Sequence, residues 1–199
     1  MRFVRKLLSS AVIVTVALAF SGTAMAARVR AEPSGARRAT STNFTVSDAF
    51  GFIEVECDLI LDGNFSRDSE GNLGVLGSIV LGSFTRASVA NCVGGTMRVE
   101  LLTAAQISIK EVTNRGRIEI WILNARVLIE DEMREYRCLY DALLRATTRE
   151  NPVRTFEAIL ERVLEVRTLM GSRVCPGNGF VVATGTFTLD QAVTFTLTT

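Results

Sequence analysis

Apolar and polar residues alternate with a period of two through most of the chain. Ile53, Val55, Cys57, Leu59 and Leu61 alternate with Glu54, Glu56, Asp58, Ile60 and Asp62, the pattern of a strand with one buried and one wet face. A polar loop is expected from Asp62 to Asn72. Leu73 to Phe84 is apolar and glycine-punctuated, which predicts a strand covered on both faces, or one bent at Gly77 and Gly82. Met97, Val99 and Leu101 alternate again, then Ile107 and Ile109, with a turn at Asn114-Arg115-Gly116. Ile118, Ile120 and Ile122 mark the next buried face, continued by Val127 and Ile129. Cys138, Tyr140, Ala142 and Leu144 share another. Phe187, Leu189, Val193, Phe195 and Leu197 close the chain. Such runs, recurring roughly every 10–14 residues, predict an all-β antiparallel sandwich or closed barrel of about eight to ten strands.

Residues 152–166 fit two readings. Asn151-Pro152 resembles a helix start, with Asn as cap and Pro in the first turn. Phe156, Ile159, Leu160, Val163 and Leu164 then fall at helical spacing, ahead of Gly171. Yet Leu160, Leu164 and Val166 also alternate with Glu161 and Glu165, and Val163 and Val166 are β-branched. Glu157, Glu161 and Glu165 would stack like charges on a helix. The residues alone leave one helix or one more strand open.

The first 26 residues form an export leader. Arg2, Arg5 and Lys6 precede the apolar run Leu7 to Phe20, and Ala24-Met25-Ala26 supplies the small-x-small pattern of a cleavage site. The run is short for a membrane span and no stop-transfer pattern follows. Cleavage after Ala26 leaves about 173 residues with no transmembrane segment, the size of one domain. Residues 27–41 are polar and basic without apolar period, and are expected as a flexible segment ahead of a single β-domain over 42–199. Arg28, Arg30, Arg37 and Arg38 could tether that segment to acidic polymer, but a solvated spacer is the simpler reading.

The chain counts 22 basic and 21 acidic residues, and loss of the leader tips the balance slightly acidic. That excludes any electrostatic case for nucleic acid. Lysine occurs only at Lys6 and Lys110, and histidine not at all. Without imidazole, Ser-His-Asp and Cys-His catalysis and the common zinc sites are excluded.

Cys57, Cys92, Cys138 and Cys175 make an even set in an exported chain and read as two disulfides. Their wide spacing rules out a CxxC redox pair. Three connectivities stay open; Cys57–Cys92 with Cys138–Cys175, which closes two loops of similar length, is favoured. Four residue groups could carry chemistry. Asp62, Asn64, Ser66, Asp68 and Glu70 place oxygen side chains two apart, but Arg67 and Leu73 stand where a calcium loop needs Gly and Glu. Glu54, Glu56 and Asp58 share a strand face, about 7 Å between successive members, a spacing that suits glycoside hydrolysis only if the row is buried. Glu130, Asp131, Glu132 and Glu135 form an acidic run that reads as a solvated loop. Trp121, the sole Trp, falls opposite Ile118, Ile120 and Ile122, where it is either a ligand-stacking platform or covered by another layer.

A leader, an alternating strand bearing the first Cys, Cys138-Leu139-Tyr140, Ser172-Arg173-Val174-Cys175-Pro176 and the closing Thr184-Gly185-Thr186-Phe187-Thr188-Leu189 follow in order. This order resembles a group of small exported four-cysteine β-proteins, of no known activity, common in high-GC soil bacteria. The resemblance implies a secreted β-domain with two disulfides and a strand near 154–167, and supplies no catalytic residue. The Glu-rich 157–165 stretch departs from the Thr/Ser/Gly-rich texture of that group and keeps the helix open.

The expectation is a secreted, non-enzymatic binding or structural domain of the bacterial envelope or exterior, with no metal or cofactor. Cell-envelope polymer and an apolar small molecule are the ligands that fit. The rivals are a carboxylate-based hydrolase of envelope polysaccharide and a barrel carrier of an apolar ligand. A membrane β-barrel fits less well, because the chain ends Thr-Leu-Thr-Thr without a terminal aromatic.

Overall fold

Alternation continues through so much of the chain that strands account for nearly all of the structure, a computed structural model that describes residues 25–48, 54–73, 78–94, 97–112, 117–131, 136–171, 175 and 181–198. Most of the leader, the turn at 114–116, and Glu132 and Glu135 lie outside the described residues. The strands are β1 (Met25–Glu32), β2 (Gly35–Asp48), β3 (Glu54–Phe65), β4 (Asp68–Leu73), β5 (Ile79–Val93), β6 (Met97–Leu101), β7 (Ala105–Val112), β8 (Ile118–Asp131), β9 (Tyr136–Thr148), β10 (Val153–Gly171) and β11 (Val181–Thr198). No helix is present among the described residues, so none there is long and apolar enough to cross a membrane.

The register reduces these segments to eight antiparallel staves. β1 and β2 both run along β11, Arg28 opposite Thr198 and Ala39 opposite Leu189, interrupted at Pro33-Ser34. β4 continues β3 past Ser66-Arg67 and pairs with β1, as β3 pairs with β2. β6 and β7 both run along β8 and break at 102–104. The remaining pairs, β3–β5, β5–β7, β8–β9, β9–β10 and β10–β11, are meander neighbours, and the pairing of β1 and β2 with β11 closes the barrel. Stepping from partner to partner around the wall from Val80 passes through Ser108, Trp121, Arg145, Ile159, Thr184, Thr45 and Glu56. It returns to β5 at Val93, so the strands tilt as closure requires.

Most inward side chains form one core, and Cys138, Tyr140 and Cys175 form a second, smaller cluster. Phe156 stacks on Phe187 at 5.3 Å between centroids, Phe44 meets Phe187 at 6.2 Å, and Phe65 meets Phe195 edge-on at 5.9 Å. Ile79, Leu81, Ile107, Ile109, Ile118 and Val193 join the same cluster. Burial of such side chains contributes roughly 1.5–3 kcal/mol each before the entropy of ordering them is set against it.

Two expectations are corrected. Residues 27–41 are not a flexible segment: they make most of β1 and the start of β2, and Ala27, Val29, Ala31 and Ala39 are buried. Small alanines alternate inward there between arginines, a period that reads as polar composition because Ala carries little hydrophobic weight. The arginines meet carboxylates on neighbouring strands, Arg28 with Glu70, Arg30 with Asp68 and Arg38 with Asp62. The polar stretch 62–72 is accordingly not a loop but the end of β3, a two-residue kink and β4.

Residues 152–166 are strand, not helix. A helix would have buried Ile159 with Phe156 and Leu160; in β10 Phe156 and Ala158 point inward and Ile159 is 51% exposed. Asn151 does not cap a helix either. Its Nδ2 donates to the Phe195 carbonyl at 2.9 Å, and its Oδ1 accepts the Phe195 N–H at 3.0 Å. The carboxamide thus pairs with β11 just beyond the last β10 partner, Val153 opposite Val193.

β5 bends near Gly82, where the β5–β7 register shifts, but it is not covered on both faces, since Val80 is exposed. A Cβ at Gly82 would lie 1.9 Å from the Asn64 carbonyl oxygen, and one at Gly63 2.4 Å from that of Ser83. The backbones of β3 and β5 approach closely because both positions lack side chains. The two disulfides are Cys57–Cys92 and Cys138–Cys175, with no free cysteine among the described residues.

Gly82→Ala is expected to lose about 1–3 kcal/mol of stability through overpacking against fixed backbone, read as a lower urea midpoint with unchanged slope. Asn151→Ala should cost about 1–3 kcal/mol, because it strands the backbone N–H and C=O of Phe195. Thermal unfolding of the oxidised protein measures it.

Candidate functional site

Alternation on β8 puts Ile118, Ile120 and Ile122 in the core and turns Glu119, Trp121 and Leu123 outward. Register then sets Trp121 between Ser108 of β7 and Arg145 of β9. The Trp121 Nε1–H donates to Glu119 Oε1 at 2.6 Å, and Arg145 holds Glu119 Oε2 at 2.9 Å. The Lys110 ammonium sits 5.0 Å from the centroid of the indole ring, within cation–π range. Trp121 is therefore on the outer wall, half-buried, with its own neighbouring side chains around it.

Burial alone would raise the Glu119 carboxyl. Hydrogen bonds from Trp121 and Arg145, together with the charges of Arg145 and Arg117, outweigh it and hold the group below the usual range. Two neighbours of the indole have unmet hydrogen-bonding capacity. Ser108 is fully buried, and its hydroxyl and the Arg145 Nε lack a hydrogen-bond partner among the described residues. Leaving such groups unpaired costs about 1–3 kcal/mol each.

Along the same wall, toward the rim where β7 leads into β8 and β9 into β10, lies a cleft of about 550 Å³. Arg117, Thr147, Arg149, Glu150, Glu157 and Thr186 supply its polar lining, and Phe156 reaches its floor. Glu157 stands between Thr147 and Thr186 in register. Glu150 accepts the Thr155 hydroxyl at 3.1 Å. Two cations face two carboxylates, so the cleft offers directional donors and acceptors with no large net charge. That suits a polar, hydroxyl-rich ligand rather than an apolar one.

The other sequence candidates fall elsewhere. Glu54 and Glu56 are exposed, and Asp58, partly exposed, accepts a 2.6 Å hydrogen bond from Asn91. This row faces water, which leaves its carboxyls without the desolvation an acid catalyst needs. Asp62, Asp68 and Glu70 do not converge but meet three separate arginines. Glu130 pairs with Arg137 at 2.6 Å. The cysteines are structural: Cys57 and Cys92 bridge β3 and β5, and Cys138 and Cys175 pack with Tyr140. The cleft was not foreseen, because Arg117, Thr147, Glu157 and Thr186 converge only once register is set. The regular Arg145-x-Thr147-x-Arg149 alternation was the available signal. Comparison with protein-family models, curated proteins and solved structures finds no match to this chain.

Because the folded Glu119 carboxyl is depressed, its ion pair contributes stability above the ordinary glutamate pKa and loses it as pH falls through the lower folded value. Emission of the sole Trp should therefore shift on acid titration with a midpoint below about 4.3, and Glu119→Gln should abolish that step.

Proposed function

We propose that the protein is an extracytoplasmic, non-catalytic binding domain that holds a polysaccharide of the cell envelope in the rim cleft. The observation that carries this reading is the contrast between inside and outside. The barrel interior is occupied by Phe44, Phe65, Phe84, Phe156, Phe187 and Phe195, while the cleft is polar and charge-balanced. A carrier of an apolar ligand would need the reverse. The outer wall also carries Glu54, Glu56, Arg126, Asp141 and Arg145, which suits water better than lipid.

Two disulfides are compatible with a location outside the cytoplasm. The leader pattern supports export, and cleavage after Ala26 would remove only the Met25–Leu73 and Ala26–Asn72 rungs of β1. The Arg28–Glu32 pairing with β11 would stay intact.

The oxidised chain from Ala27 should co-sediment with insoluble envelope polysaccharide from its own cells and release no reducing ends. Arg149→Ala with Glu157→Ala should lower retention about ten-fold, the scale of one lost charged contact. Absence of retention would sink the reading, and release of reducing ends would make the protein a hydrolase instead.

A further inference from the structure

The outward face of β8 joins the two features described above. Arg117, just before the strand, lines the cleft, and Glu119 and Trp121 follow at steps of two on the same face. At strand rise, Trp121 lies about 14 Å from Arg117. Arg145, Thr147 and Arg149 repeat this alignment from β9. Cleft and indole are thus two ends of one polar track, longer than a single pyranose ring. Between them the Glu119 carboxylate is already fixed by Trp121 and Arg145.

We propose that cleft and indole are two subsites for one extended, uncharged polyhydroxylated chain, and that a sugar ring stacks on Trp121 where Lys110 now sits. This rests on the polysaccharide reading above. Three observations support the second subsite. The indole is outward and half-buried rather than part of the core. Its two register neighbours keep a buried hydroxyl and a buried guanidinium N–H without partners among the described residues. Sugar hydroxyls, which both donate and accept, would pair with them where stacking displaces the side chains that cover them. Finally, the ammonium over the indole face is carried on a flexible four-carbon stem, and a stacked sugar ring would take its place on the ring face. Opposed charges in the cleft favour a neutral chain over a polyanion.

The test uses fragments released from the envelope polysaccharide that the protein binds, sorted by length from single sugars to several units. Calorimetry and Trp emission are read on the oxidised protein. Long fragments are expected to bind about ten-fold more tightly than short ones, the scale of one stacked ring. Only the long ones should shift Trp emission. Trp121→Ala should erase the length increment while short fragments bind unchanged, and Trp121→Phe should restore most of it. That unchanged short-fragment binding also shows that the variant is folded. Equal affinity at all lengths, or a length increment that survives Trp121→Ala, overturns the two-subsite track and leaves the cleft reading standing. Failure of every fragment and of the whole polysaccharide overturns both.

Discussion

A meander of antiparallel strands has two open edges until its first and last members meet, and open edges recruit other chains. Here the first stave, β1 with β2, pairs with the last, β11, and the ring is complete because β10 also pairs with β11, Val153–Ile159 against Thr184–Val193. Everything else follows from it. Closure tilts the strands, sets which residues face inward, and brings β8, β9, β10 and β11 side by side as a single wall. It also overrides local preference at residues 152–166, where helical spacing is present in the sequence. An isolated helix there would have left β11 and β9 as unpaired edges. Beyond Ile159, β10 pairs only with β9 and shows three register shifts. Bulges of that kind discourage further pairing.

Long staves must bend to close. The chain manages this by interrupting them, at Pro33-Ser34 between β1 and β2, at Ser66-Arg67 between β3 and β4, and at 102–104 between β6 and β7. Proline removes a ladder donor at the first break. At the second, Ala31 N–H donates to the Arg67 carbonyl and Ser66 N–H to that of Leu81, so the backbone stays hydrogen-bonded through the kink. The third is held by Leu102 N–H to the Arg126 carbonyl and by the Thr103 hydroxyl to that of Asn124, which adopts a positive φ.

The class of fold was legible because inward and outward residues alternate with large hydrophobes, as from Val55 to Leu59 and from Ile118 to Ile122. Where the inward residue is alanine, as at Ala27, Ala31 and Ala39, the same period was present but faint. The outward placement of Trp121 was readable from its neighbours. The disulfide pairing emerged as favoured, since the pairs close similar loops, yet spacing alone could not exclude the others. The cleft was illegible for a different reason. Which outward residue of β8 lies beside which of β9 and β10 depends on register, and the register shifts around Ile122 and Leu160 hide it from any periodicity. The kinks were hidden in the same way: only Pro33 announces one.

Antiparallel connectivity sends successive connections to alternate rims. Both disulfides involve residues at one of them, where β2 leads into β3, β5 into β6, β8 into β9 and β10 into β11. The cleft lies at the opposite rim. Crosslinks restrict the unfolded ensemble of the segments they enclose, so the free energy of partial opening is not uniform along the barrel axis. One rim is a covalent anchor from which the wall cannot fully separate. The other has no disulfide among the described residues; hydrogen bonds such as those of Asn151, the Arg28–Glu70 ion pair and buried residues such as Val153 hold it, and its opening would strain no crosslink. A ligand at that rim would meet a surface that adjusts its spacing by small, reversible fraying, while the far end keeps the strands in register and restores the closed form each time.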